Sequence, residues 1–160
     1  MKTLPLVASA LLVSLLAACG GGGDDPDPTN YDSAFAISSA TNSDLNGAYA
    51  NANTPLSGVN KLERIGATDA CVFSFENIPR VGGGAVAEGA IEYLVDTTQA
   101  HRVTMKLAGV TYEASPPVGN SSVSKSGNRV NFAGTVLTSG SNSITLSGFI
   151  PMRTDRPAGC

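Results

Sequence analysis

From Cys71 onward, apolar and polar residues alternate, and this alternation restricts the fold more than any other feature of the chain. Cys71, Phe73 and Phe75 share one parity, and Ser74 and Glu76 share the other. A period of two is typical of a β-strand with one buried face. The later positions predicted to face inward are Ile91, Tyr93, Val95, Val103, Met105, Leu107, Val130, Phe132, Val136, Ile144, Leu146 and Ile150. We therefore predict an all-β fold.

Short breaks rich in Gly, Pro, Ser and Asn separate these segments and indicate tight connections. They fall at Val81–Gly84, Asp96–Gln99, Ser115–Gly119, Ser126–Asn128 and Ser139–Ser141. Closely spaced strands of this kind form an antiparallel meander, here of six to eight strands. We expect a small barrel or a strongly curled sheet, because closure removes the edge strands that invite aggregation. A β-sandwich is the alternative.

Three segments are harder to interpret. Tyr31 to Asn42 is compatible with a short strand or a half-turn of helix, and Gly58 to Ile65 offers Val59, Leu62 and Ile65 for burial. In His101 to Ala114 the parity slips at Ala108-Gly109, which predicts a β-bulge within one long strand.

The first eighteen residues indicate a signal peptide. Lys2 precedes an apolar run of 15 residues from Leu4 to Ala18. A membrane-spanning helix needs roughly 20 apolar residues, and the glycines that follow would end a helix. A basic start, a short apolar core and small residues at the end favour a secretory signal over residues 1–18.

Leu16-Ala17-Ala18-Cys19 resembles the lipobox of bacterial lipoproteins. The resemblance implies cleavage between Ala18 and Cys19, a diacylglycerol on the Cys19 sulfur and acylation of the new amino group. The protein would then be bound to a membrane by its N-terminal lipid. In the family, Asp after the lipidated Cys favours the inner membrane. The residue here is Gly20, which in a Gram-negative cell favours the outer membrane, facing the periplasm. The alternative is an ordinary signal peptide followed by an unrelated cysteine.

Residues 19–32 are expected to be the lipidated cysteine and a flexible tether, because GGGGDDPDPTN offers nothing to a core. Its aspartates lack the spacing of a calcium-binding loop. Residues 33–160 then form a single β-rich domain. That domain has nine basic and nine acidic residues. Because no basic stripe is present, the sequence argues against nucleic-acid binding.

Cys71 and Cys160 remain after Cys19 is assigned to the lipid. Two cysteines in an exported domain usually form a disulfide, here closing a loop of about 90 residues. The alternative is a pair of free thiols.

No arrangement of residues predicts catalysis, a cofactor or a metal. His101 is the only histidine, and Asp96 lies across the same predicted loop, but no Gly-x-Ser-x-Gly motif accompanies them. Glu88 and Glu92 share a strand face about 13 Å apart, too far for a glycosidase pair. With one His and paired cysteines, the ligands of a zinc site are missing. We therefore predict that the protein is not an enzyme.

Three functions remain open. The first is an envelope lipoprotein whose β-domain binds an envelope protein or has a structural role. The second is a carrier of a small apolar ligand, since Gly47-Ala48-Tyr49 resembles the Gly-x-Trp start of lipocalins, with Tyr in place of Trp. The third is an inhibitor of an envelope-directed hydrolase, acting through Ser115–Pro117 or Val81–Gly84. An interior filled by side chains excludes the carrier, and the expected filling residues are Phe73, Phe75, Val103, Met105, Phe132 and Ile144.

Overall fold

The computed structural model describes residues 31–160, which form ten β-strands and one short 3₁₀ turn, Ser43–Leu45. The predicted signal peptide, the cleavage site at Ala18 and Cys19, and the tether up to residue 30 lie outside the described residues. The strands are β1 (Ser33–Ser38), β2 (Gly47–Asn51), β3 (Asn60–Leu62), β4 (Ala70–Pro79), β5 (Val86–Leu94), β6 (Ala100–Leu107), β7 (Val110–Ala114), β8 (Ser121–Ser124), β9 (Arg129–Ser139) and β10 (Asn142–Pro151). In this part of the chain no helix has the length and apolar character needed to span a bilayer.

All ten strands belong to one antiparallel sheet. Its order is β2-β1-β10-β9-β7-β6-β5-β4-β3, and β8 pairs with β9 next to β7. The sheet curls but is not closed into a barrel by a continuous ladder. β2, at one end of this order, meets the chain just after β4 at a bridge between Tyr49 and Arg80 and at a hydrogen bond of 2.8 Å from the Val81 N–H to the Ala48 carbonyl. The all-β curled sheet is thus confirmed, and the sandwich alternative is wrong.

The structure has ten strands instead of the predicted six to eight, and two segments provide additional ones. The ambiguous segment before Asn42 contains β1, which is held by hydrogen bonds to both β2 and β10. The predicted long strand from His101 is two strands, because Leu107 pairs with Val110 across a two-residue turn. Ala108 and Gly109 have φ values of 49° and 81°, the positive values that a tight hairpin turn requires. The bulge predicted there is therefore wrong.

The buried side chains form one hydrophobic core on the inner face of the sheet. Most of the predicted inward positions lie in it, including Phe73, Met105 and Ile144. Val136 does not, since it is 53% exposed while Leu137 is buried. The predicted burial of Leu62 and Ile65 is also wrong, because both are exposed at or beyond the edge strand β3.

Two core tyrosines combine buried rings with satisfied hydroxyls. The Tyr49 hydroxyl donates to the Leu45 carbonyl at 3.0 Å, and the Tyr93 hydroxyl donates to the Cys160 carbonyl at 2.9 Å. Burial raises the pKa of both phenols. The positive charge of Arg80 offsets part of this rise for Tyr49, and that of Arg156 does so for Tyr93.

The predicted disulfide is present. Cys71, near the start of β4, is bonded to Cys160 with a Cα–Cα distance of 5.8 Å, and both residues are buried. Lys125 further fixes the segment around Cys160, because its ammonium donates to the carbonyls of Val95, at 2.6 Å, and Gly159. Residues 153–160 are therefore attached to the sheet at several points.

The antiparallel topology gives the sheet two distinct ends. At one, the distal end, lie the connections 39–46, 80–85, 108–109 and 140–141. Hydrogen bonds join them, from the Thr41 N–H to Ser143 and from the Arg80 Nε to Asn46. At the other, the entry end, β1 begins, and the connections 63–69, 95–99 and 125–128 lie there. β1 has six residues, so the start of β1 is roughly 17–20 Å along the strand from the distal end.

Candidate functional site

An open cavity of about 680 Å³ lies at the distal end. Three connections that are far apart in the sequence form its walls: the 3₁₀ turn before β2, the β4–β5 connection and the β6–β7 hairpin. We call this cavity the distal groove. Small-molecule sites usually occupy roughly 300–1,000 Å³ and combine apolar walls with a few polar groups. The distal groove has that size and composition.

The 3₁₀ turn forms one wall because its ends are capped locally. The Asn42 side chain accepts from the Asp44 N–H at 3.1 Å, and the Asn46 N–H donates to the Ser43 carbonyl at 3.0 Å. The turn directs Leu45 into the core and leaves Asp44 exposed. A buried apolar side chain and an exposed carboxylate thus border the same groove.

Arg80 is the partly buried cation of the groove. Its Nε donates to the Asn46 carbonyl at 3.0 Å, and its Nη1 lies 3.5 Å from the Gly83 carbonyl. Gly47, with a φ of 144°, makes room for it, because a Cβ at this position would lie 2.9 Å from the Arg80 Nε. Within residues 31–160, no carboxylate lies within ion-pairing distance of Arg80. Backbone carbonyls alone therefore orient this guanidinium.

Glu88 and Lys106 pair with each other across β5 and β6 at the edge of the groove. The Lys106 Nζ lies 2.7 Å from the Glu88 Oε1, and both side chains are about half exposed. The hydrogen bond to Glu88 is the main reason that the pKa of Lys106 is raised. This pair is neutral overall, so Arg80 and Asp44 are the charges of the groove that lack a partner of opposite sign among the described residues.

The residues considered for catalysis do not form a triad. The His101 Nε2 lies 3.9 Å from the Glu92 Oε1, whereas Asp96 accepts a hydrogen bond from Thr68 at 3.2 Å. Glu92 also pairs with Arg64. Among residues 31–160, no three His, Cys, Asp or Glu side chains are placed to hold a metal ion.

The other predicted features are divided between the interior and the two ends. The six side chains expected to fill the interior are all buried in the core: Phe73, Phe75, Val103, Met105, Phe132 and Ile144. Gly47-Ala48-Tyr49 begins β2, and the Tyr49 ring stacks on Phe35 at 5.1 Å. Val81–Gly84 lies at the distal end. Ser115–Pro117 is close to the start of β6 at the entry end, where the Val118 N–H donates to the Ala100 carbonyl.

Apart from Glu88, the charged residues of the groove are not indicated by any pattern in the sequence. Asp44, Arg80 and Lys106 lie in three separate segments, and none belongs to a motif with recognisable spacing. The one local signal is the position of Arg80 between Pro79 and a glycine-rich turn, which predicts a connection but no ligand.

No protein-family model, curated protein or solved structure matches this chain.

Proposed function

We propose that this chain is a lipid-anchored envelope protein whose β-domain is a non-enzymatic binding module. The lipobox resemblance at Leu16–Cys19 supports the anchor. Each buried lipid methylene contributes about 0.8 kcal/mol, and stable attachment needs more than one acyl chain. Gly20 after Cys19 favours the outer membrane, with the domain facing the periplasm.

The position of the distal groove carries the binding part of the proposal. The described chain enters the sheet at Ser33, the first residue of β1, whereas the groove is formed by connections at the opposite end. A lipid on Cys19 would hold the entry end closer to the bilayer. The groove would then be directed away from the membrane and accessible to periplasmic molecules.

The packed interior favours this proposal over a lipocalin-like carrier. Side chains such as Phe73, Phe75 and Met105 occupy the interior of the curled sheet, where a carrier would hold its ligand. A ligand at the distal groove needs no such internal space. The inhibitor alternative would use the exposed Val81–Gly84 connection beside the same groove.

Intact mass spectrometry of the mature protein tests the anchor. We expect cleavage before Cys19 and an added mass corresponding to a diacylglyceryl group and an N-acyl chain. A Cys19→Ser variant should lack both changes and should keep its uncleaved signal peptide. An unmodified mature protein that is released by washing would refute the anchor.

Fluorescence quenching tests the orientation. A dye is attached at the distal end through Val81→Cys or near the entry end through Ile65→Cys, since both side chains are well exposed. In vesicles that contain a headgroup quencher, the lipidated Ile65→Cys protein should be quenched more strongly than the matched Val81→Cys protein. Equal quenching, or the reverse order, would contradict the proposed orientation.

A further inference from the structure

We infer that the distal groove binds a small molecule that joins a single carboxylate to an apolar group, with Arg80 holding the carboxylate. This inference rests on the proposed function, because it specifies the ligand of the groove to which binding is assigned. Four observations support it: the available guanidinium, the glycine that accommodates it, the remaining charges and the apolar wall.

Arg80 has donors available. Its two hydrogen bonds to backbone carbonyls use Nε and Nη1, and within residues 31–160 its Nη2 makes no hydrogen bond. Removing a cation partly from water without an anion is unfavourable, so binding an anion from solution relieves this cost. A guanidinium is suited to carboxylates because its planar donors match both oxygens.

A glycine allows the guanidinium to take its place before any ligand binds. A Cβ at Gly47 would lie 2.9 Å from the Arg80 Nε, too close for both groups to keep their positions. The bond from Nε to Asn46 fixes the side chain against the 3₁₀ turn. Because the donor is already oriented, less conformational freedom is lost on binding.

The other charges of the groove favour a monoanion. Lys106 is already paired with Glu88, and Asp44 adds a negative charge. The four charged side chains therefore sum to zero. A dianion such as a phosphate monoester would meet two carboxylates with only one available cation, whereas a carboxylate matches the single charge of Arg80.

The remaining wall is apolar. Leu45, Ala85, Val86 and Ala108 line the groove. Val86 is 45% exposed, so a ligand that covers it removes apolar surface from water. An alkyl or aryl group attached to the carboxylate fits this surface.

The test compares three small-molecule probes that each contain six carbon atoms. The full chain with Cys19→Ser, kept in a non-ionic detergent, is titrated with hexanoate, hexanamide and hexyl phosphate while amide NMR shifts are followed. We expect hexanoate to bind in the millimolar range, as its size allows, and about tenfold more tightly than hexanamide or hexyl phosphate. Perturbed resonances should cluster at 42–46, 80–86 and 106–109. Equal affinity for the amide, preference for the phosphate, or no binding would overturn the inference.

Variants locate the interaction. Arg80→Gln should weaken hexanoate binding at least about tenfold. The matched control Arg102→Gln, at an exposed arginine that pairs with Glu113 outside the groove, should leave it unchanged. Undiminished binding by Arg80→Gln would refute the role of Arg80.

A second pair of variants leaves Arg80 in place and decides the question if Arg80→Gln does not fold. Val86→Glu adds a carboxylate that competes for Arg80, whereas Val86→Gln changes the side chain to nearly the same shape without charge. We expect Val86→Glu to bind hexanoate about tenfold more weakly than Val86→Gln. Equal affinities would contradict the inference.

Failure of the inference and failure of the proposed function are distinguishable. If mass spectrometry finds the lipid on Cys19 but hexanoate does not bind, the anchor stands and the carboxylate inference falls. If hexanoate binds through Arg80 but Cys19 carries no lipid, the ligand class stands and the anchor falls.

Discussion

Removal of the Cys71–Cys160 disulfide should destabilise the domain strongly. The perturbation is the double substitution Cys71→Ala and Cys160→Ala in a chain that also carries Cys19→Ser. The bonded residues are 89 positions apart, so the bond closes most of the sheet into one loop. The same bond holds Cys160 where its carbonyl accepts from Tyr93.

The expected cost follows from the length of this loop. The chain-entropy relation gives about 4.6 kcal/mol for a closed loop of about 90 residues. Loss of the hydrogen bond from Tyr93, if residues 153–160 detach, adds about 1 kcal/mol. A total of about 5.6 kcal/mol is a large share of the roughly 5–15 kcal/mol that stabilises a typical domain.

Urea unfolding followed by far-UV circular dichroism measures this cost. With a slope of about 1–3 kcal/mol per molar urea, the midpoint should fall by roughly 2–6 M. The control is Tyr93→Phe with the disulfide intact, which removes only the hydrogen bond and should cost about 1 kcal/mol. A loss of less than about 1 kcal/mol in the double variant would refute the entropic reasoning.

Three further predictions concern packing and pH. Gly89→Ala should lower the free energy of unfolding in urea by about 3 kcal/mol, because the added Cβ would lie 2.1 Å from the Thr104 carbonyl oxygen. In the control Gly58→Ala the added Cβ meets no atom within 4 Å, so stability should change by about 0.5 kcal/mol or less. Leu137→Ala should lower the free energy of unfolding by about 2–5 kcal/mol, and the neighbouring Val136→Ala should lower it by about 0.5 kcal/mol or less. The reverse order would mean that β9 has its other face inward. Because burial raises the pKa of Tyr49 and Tyr93 above 10.0, the stability that these two phenols contribute is complete below pH 10 and is lost as the pH rises through their raised pKa. Absorbance titration of the phenols should show this late ionisation together with alkaline unfolding, and ionisation of all the tyrosines near pH 10 in the folded protein would contradict it.

The alternating pattern predicts strand faces well until the register shifts. Ile144, Leu146 and Ile150 are buried as expected. In β9 the expected phase fails after Phe132, because the register of β9 and β10 shifts where Leu146 pairs with Thr135 and Ser147 with Ala133. The unpaired residue between them is Gly134, with a φ of 82°. A glycine inside a strand signals such a bulge only weakly, and the same signal at Gly109 belongs to a turn.

The distal groove could not be predicted from the sequence. Its walls come from segments around Asp44, Arg80 and Lys106, and only the curling of the sheet brings them together. Local periodicity contains no information about which connections meet at one end of a sheet. The disulfide was predictable because the two cysteines left after Cys19 allow only one intramolecular pair.

The pairing of β1 with β10 has a consequence for the order of folding. Ala34 pairs with Phe149 and Ile37 with Leu146, so β1 reaches the compartment in which the exported chain would fold about 110 residues ahead of its partner β10. Until then its only available neighbour is β2, and an isolated hairpin is marginally stable. We expect this long-range contact to make folding slow and to leave the edge of β1 open to mispairing until β10 arrives.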